Sequence, residues 1–378
     1  MKRDRETIAG LVLLIVLASL PFWLLTTSYA IGIVITALTF VALALSWNII
    51  SGIGGQLSMG HAAFFGLGAY TSTLLLVHFG ISPWIGMVGG GIVASLAGLL
   101  LGYPSFRLKG DYFTLVTFVF PLILGIVARS WSSVTGGDPG LQVPLLHDAP
   151  LMYQFSSPVP YFYIILGIAS LYLVLSRRML RSRFGYYLKA LRDDQVSAEA
   201  LGVDCLRMKL AGFALSAFLT ALVGTFYAQY MLFIDPAMTF DMFVSVKIAL
   251  SVIAGGAGTL WGPVIGGLFL IPLGELANAQ FGHIITGVDV VLYSAVLIAI
   301  AIFLPRGLIT LPGFIRERTA AARPGRAGTG LFGSASVGPL GRPQDRPTST
   351  ARQKPSAIHP KEDPEVPAKE GIEHQLES

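Results

Sequence analysis

The chain has 378 residues, of which 53% are hydrophobic and 12% charged, with 43 glycines and a formal charge of +5. A water-soluble domain of this length could hardly stay in solution with that balance, so the composition points to a polytopic membrane protein, an all-α helix bundle. The excess positive charge lies at membrane borders and in the tail, where anionic headgroups account for it without a nucleic-acid partner, and the lone Cys205 excludes an internal disulfide or a cysteine metal cluster.

Lys2, Arg3 and Arg5 precede an apolar run from Ile8 to Leu25 that is long enough to span hydrocarbon. Ser28-Tyr29-Ala30 could pass for a signal-peptidase site, but the run is long for a signal core and contains Pro21, which favours an uncleaved first helix. A second span covers Ala30 to about Ile50.

In SGIGGQLSMGHAAFFGLGAYT, residues 51–71, glycines 52, 54, 55, 60, 66 and 68 are interspersed with Gln56, Ser58 and His61. Non-helical backbone at membrane depth survives only where protein or a water-filled cavity satisfies it. Two descriptions fit the spacing: a broken or re-entrant segment lining a path, or close helix packing through glycine around one satisfied histidine.

Spans follow from about Gly60 to His78, Trp84 to Gly102 and Tyr112 to Ala128, with Arg107 and Lys109 in a short cytoplasmic turn. The main external loop, about 131–160, holds five prolines and neither Lys nor Arg. After a span from Tyr161 to Leu175 comes the one long polar interruption, about 176–209. It carries Arg177, Arg178, Arg181, Arg183, Lys189, Arg192, Arg207 and Lys209 against Asp193, Asp194, Glu199 and Asp204, which places it in the cytoplasm. Leu188, Leu191 and Leu201 are expected to share one face of a short amphipathic helix there. Such a stretch serves either as a solvated connector or as a docking surface for a soluble partner.

Met208 to Phe233 forms the next span, and Asp241 to Gln280 two more, joined by the glycine-rich turn 254–263. Val288 to Leu304 is the last, giving ten spans with both termini cytoplasmic and external turns free of Lys and Arg apart from Arg129 at a border. Lys247 and Glu275 fall at similar depths, roughly 8–9 Å from the outer ends at about 1.5 Å per residue, so they either pair across adjacent helices or snorkel independently. Residues 1–318 thus read as a transmembrane domain, and residues 319–378, with eight prolines and no apolar periodicity, as a disordered tail.

No Walker A motif, no H-E-x-x-H and no credible nucleophile elbow occurs, which leaves an enzyme little support and transport in its place. The motifs GGQLSMGHAAFFGLGAYT (54–71), YPSFRLKGDYFTLVT (103–117), TGGDPGL (135–141), FGYYLKALRDDQVSAEALGV (184–203) and GGAGTLWGPVIGG (255–267) carry a resemblance over about residues 30–310. The chain is similar to the inner-membrane permease subunits of branched-chain amino-acid ABC importers, of the LivM type.

That resemblance implies a non-catalytic subunit of the bacterial inner membrane, set beside a sister permease, two cytoplasmic ABC ATPases and a periplasmic substrate-binding protein. It implies no cofactor on this chain, with ATP-Mg held by the ATPases. Phe184, Gly185, Glu199, Ala200 and Gly202 match the family's ATPase-coupling loop, and Leu188 and Leu191 would supply the apolar face that docks. Tyr186-Tyr187 departs from the pattern, where a basic residue usually follows the glycine. Gln56, Ser58, His61, Thr259 and Trp261, in the two glycine-rich motifs, are expected to line or gate the path. Branched-chain or other apolar amino acids are the expected cargo. Urea or short-chain amides, and an ion-coupled carrier working through Lys247 or Glu275, are the alternatives.

Overall fold

Local sequence signals set the helix ends. The computed structural model describes residues 10, 12, 14–21, 28–107, 112–145, 148–281, 287–303 and 307–310. Helix α1 (Ser28–Trp47) runs into a π-helical turn at Asn48–Ile53. Helix α2 (His61–Phe79) stops at Gly80, whose left-handed backbone returns its N–H to Leu75 O and Leu76 O. Ser82 then caps α3 (Pro83–Ser105), with Pro83 at the first helical position where its missing N–H costs nothing. The same Ser-Pro device opens α6 (Pro158–Leu180), after α4 (Tyr112–Ser130) and the short α5 (Ser132–Thr135).

The polar interruption folds as two helices, α7 (Arg183–Asp193) and α8 (Gln195–Ala200). Asp204 caps α9 (Cys205–Met231), α10 is Pro236–Thr239, and Asp241 caps α11 (Met242–Gly255). Helices α12 (Gly262–Phe281) and α13 (Val288–Phe303) complete the set. A two-residue antiparallel pair, β1 (Leu141–Gln142) with β2 (Phe233–Ile234), ties the 131–160 loop to the end of α9. Strands this short carry no alternation that a sequence could display.

Eight helices among the described residues are long and apolar enough to cross a bilayer, in keeping with a polytopic helical bundle. The outermost two of the ten expected spans, which include residues 14–21 and the 16-residue α13, extend into positions outside the described residues. The tail at 319–378 also lies outside them.

Helix α9 packs on α2 and α3, while α1 packs on α6 and α12. Glycine makes the first group possible: a Cβ on Gly224 would sit 2.0 Å from Phe65 O. One on Gly68 would sit 2.1 Å from Ala221 O, so the two backbones touch. On α3 the opposite face exposes Ile85, Val88, Ile92, Leu96 and Leu100 in a helical stripe, as a face turned to hydrocarbon requires.

Candidate functional site

The helical ladder fails between Gly54 and Gly60, and several of the freed backbone groups are met by side chains of other helices. Trp47 Nε1 donates to Ser58 O at 2.7 Å, Thr114 Oγ1 to Leu57 O at 2.9 Å, and the N–H of Met59 to Thr117 Oγ1 at 3.1 Å. Ser245 Oγ on α11 accepts from the Ala62 N–H at 2.8 Å, inside the first turn of α2. The first glycine-rich segment is therefore a true break, held by α1, α4 and α11.

His61 begins α2 and is wholly buried. Its Nε2 lies 2.8 Å from Ser216 Oγ, whose own proton goes to Ser46 O at 2.7 Å. Ser216 must therefore accept from His61, which puts the imidazole proton on Nε2 and leaves Nδ1 to accept from Ser58 Oγ at 3.3 Å. The histidine is satisfied, with Trp47 and Phe64 against its ring. Residues 51–71 thus combine a backbone break with a satisfied histidine. Ser58 and His61 line no open path in this conformation, while Gln56 is half-buried.

The second break, Gly256–Trp261, lies directly against the π turn that leads into the first. Asn48, in the π turn, accepts from the Gly258 N–H at 2.9 Å and donates to Thr259 O at 3.0 Å. Thr259 Oγ1 donates to Gly256 O at 2.7 Å and accepts from the Gly262 N–H at 3.0 Å, closing the turn on itself. Trp261 points away from this contact, into an apolar crevice of about 250 Å³ shared with Leu17, Leu38, Leu166, Arg177 and Val264.

The α7–α8 hairpin reaches the same place. Arg192 Nη1 donates to Gly52 O at 2.7 Å, and a Cβ on Gly258 would meet that Nη1 at 2.4 Å. A Cβ on Gly52 would displace the Asn48 amide, 1.8 Å away. Gly185 lets α7 fold back on α6: its Cβ would lie 2.0 Å from Met179 O, while its N–H donates to Ser182 Oγ at 3.2 Å. Glu199 accepts from Gln195 Nε2 at 2.8 Å, and Gln195 Oε1 in turn accepts from Lys209 Nζ at 2.7 Å. Gly202, φ +84°, turns the chain from α8 towards α9.

Two expectations for the hairpin need correction. Leu201 does not share a face with Leu188 and Leu191, because Asp194 (φ −158°) interrupts the helix and caps a new one, and Leu201 falls beyond its end, 85% exposed. Leu188 and Leu191 do not face outward either: they are buried in the chain's own core. What α7 and α8 leave exposed is Tyr186, Tyr187, Val196 and Leu201, together with Glu199 and Ala200, while Phe184 is half-buried.

The paired charges also fall differently. Among the described residues no ion pair joins Lys247 to Glu275; Lys247 Nζ lies 5.6 Å from the centroid of the Tyr293 ring on α13. Trp47, Asn48, Thr114, Thr117, Ser216 and Ser245 also belong to the site and went unnoticed in the sequence, where Arg192 stood out only as one charge among many.

Membrane-length helices, with a second backbone break braced against the π turn that precedes the first, define a multi-pass membrane protein. Residues 29–303 match the family described as branched-chain amino acid transport system / permease component, so the chain belongs to that family of ABC permeases, in its LivM type. It is 28% identical to the high-affinity branched-chain amino acid transport system permease protein LivM of Escherichia coli (strain K12) over 324 residues, 80% of this chain and 74% of that protein. It is 24% identical to the corresponding LivH protein of Salmonella typhimurium over 288 residues, 72% of this chain and 92% of that one. A probable LivM of Methanocaldococcus jannaschii is 24% identical over 192 residues, 47% of this chain and 55% of that protein. No solved structure matches.

Proposed function

We propose that the chain is the non-catalytic translocation subunit of an ATP-driven, binding-protein-dependent importer of branched-chain or other apolar amino acids. In this reading it sits in the bacterial inner membrane as residues 1–318, with 319–378 a cytoplasmic tail. It pairs with a LivH-like sister permease, takes force from two cytoplasmic ABC ATPases that bind the ATP-Mg, and receives solute from a periplasmic protein. The chain itself binds no cofactor.

The observation that carries the reading is the basic hairpin: its outer surface presents Tyr186, Val196 and Leu201 to a partner, while its inner surface is anchored in the membrane body. Eight basic residues between 177 and 209 support a cytoplasmic position for that hairpin, on the side of the ATPases. Differential contact of the ATPases with two states of the hairpin is then enough to bias the permease between them. A path with few fixed charges suits a zwitterion released without tight binding.

Proteoliposomes holding this chain, its sister permease and the ATPases are expected to accumulate leucine, isoleucine or valine when ATP and the loaded binding protein are supplied. The isolated chain is expected to accumulate none. Uptake by the chain alone, driven by a proton or sodium gradient, would overturn the proposal in favour of an ion-coupled carrier. Should the binding protein take up urea or short-chain amides instead of apolar amino acids, the substrate assignment fails and the importer assignment stands.

A further inference from the structure

We infer that Arg192 and Asn48 form a latch through which movement of the α7–α8 hairpin is delivered to both backbone breaks. The inference rests on the importer reading above. It concerns positioning residues, which touch neither solute nor nucleotide.

Three observations carry it. Gly185, Leu188 and Arg192 recur at helical spacing on one face of α7, so Arg192, although exposed, starts from the side of the helix that packs on the chain and can reach inward. Its guanidinium reaches across 140 positions of sequence to the carbonyl of Gly52, in the π turn where the helical ladder is already disturbed. One side chain further on, Asn48 holds the second break by both of its amide atoms, at Gly258 N and Thr259 O. Two side chains thus join three separate segments, and every acceptor or donor they use on the breaks is main chain.

The glycines show that the fit is tight. Positions 55 and 258 both lack a side chain where Arg192 passes: a Cβ on Gly55 would lie 2.6 Å from Arg192 Cγ, and one on Gly258 2.4 Å from Nη1. Gly52 lacks one where Asn48 passes. Displacing the arginine must therefore move the two breaks with it, and these are the places where α1 gives way to α2 and α11 to α12. Charge-assisted donation to a carbonyl is stronger than a neutral hydrogen bond, which suits a contact that has to pull as well as push. Because Arg192 remains largely open to solvent, its contribution to overall stability is small, so transmission and folding separate experimentally.

The test uses the reconstituted complex with Arg192→Met, which keeps the apolar stem and removes the donors. Solute imported per ATP hydrolysed is expected to fall by about fivefold or more, the scale of a lost coupling contact, with ATPase subunits still bound and ATP still hydrolysed. Arg192→Lys, which restores a cation and a donor, should recover part of the loss, and Arg207→Gln, on the exposed pair with Asp204, should change nothing. A second readout needs no transport: hydrogen exchange on the purified chain should quicken at residues 52–57 and 256–260 together in Arg192→Met. An unchanged import ratio in Arg192→Met overturns the latch, as does exchange that quickens in neither segment or in one alone. Failure of the wild-type complex to import with ATP would instead overturn the importer reading.

Discussion

His61 on α2 and Ser216 on α9 are joined by a 2.8 Å hydrogen bond in a wholly buried position, and the direction of that bond is fixed by Ser216 donating onward to Ser46 O on α1. Three helices are thereby keyed together through one neutral imidazole. Buried hydroxyls without partners cost more than the bonds they would make contribute, so the network is more costly to break at its centre than at its ends.

Replacing His61 with alanine should accordingly destabilise the chain by about 2–4 kcal/mol, from the void and from the Ser58 hydroxyl left without its acceptor, while Ser216 keeps Ser46 O. Ser216→Ala should cost less, about 1–2 kcal/mol, because it opens a smaller void, strands the imidazole N–H and takes one donor from Ser46 O. Thermal unfolding in detergent would measure both. A His61→Ala chain that melts with the wild type would show that the histidine carries no structural load.

Gly224 and Gly167 make a second pair of opposites. A Cβ on Gly224 would collide with the Phe65 carbonyl at 2.0 Å, whereas one on Gly167 of α6 would meet nothing within 4 Å. Gly224→Ala should therefore force α9 away from α2 and cost about 1–3 kcal/mol or more. Gly167→Ala should be neutral or stabilise by up to about 1 kcal/mol through helix propensity. Membrane expression and melting temperature would rank the two.

What the sequence made legible was whatever repeats locally. The spans follow from apolar length, the breaks from clustered glycine, and the α7 helix from the spacing of Leu188 and Leu191. Contacts between distant positions left no local trace: nothing near Arg192 announces Gly52, and nothing near residue 59 announces Thr117. The helical period was also carried too far, through Asp194 to Leu201, although an aspartate three residues before Ser197 is a start signal in its own right. For Lys247 and Glu275, rise along an axis was computable and rotation about it, about 100° per residue, was not anchored.

Asp194 gives a pH dependence with a definite sign. Its carboxylate accepts from the Ser197 hydroxyl and from the backbone N–H groups of Ser197 and Val196, and these bonds hold its pKa below the usual carboxylate value. A depressed folded-state pKa means that the cap is complete above the ordinary value of about 4 and is lost as pH falls below it. Amide exchange at residues 196–199 should then stay flat from neutral pH down to about 4 and quicken, beyond the intrinsic trend, only under more acid conditions. In Asp194→Asn, which still accepts but does not titrate, the acid limb should vanish. An acid limb that survives in that variant would assign the effect to another group.

The hairpin's two surfaces predict opposite failures from chemically identical changes. Val196 and Leu201 are 76% and 85% exposed, and Leu188 is wholly buried. A carboxylate introduced at both exposed positions meets water in the free chain and loses its hydration only where a partner covers it. Val196→Asp with Leu201→Asp should leave the melting temperature unchanged while weakening retention of the ATPase subunits by about tenfold or more, some 1.4 kcal/mol. Leu188→Asp buries the charge within the chain's own core, so it should abolish folding before docking can be measured. Co-purification of the ATPases, read beside a melting curve for each variant, separates the two cases. If the double variant held its ATPases as tightly as the wild type, the exposed apolar surface of α7 and α8 would not be where they dock.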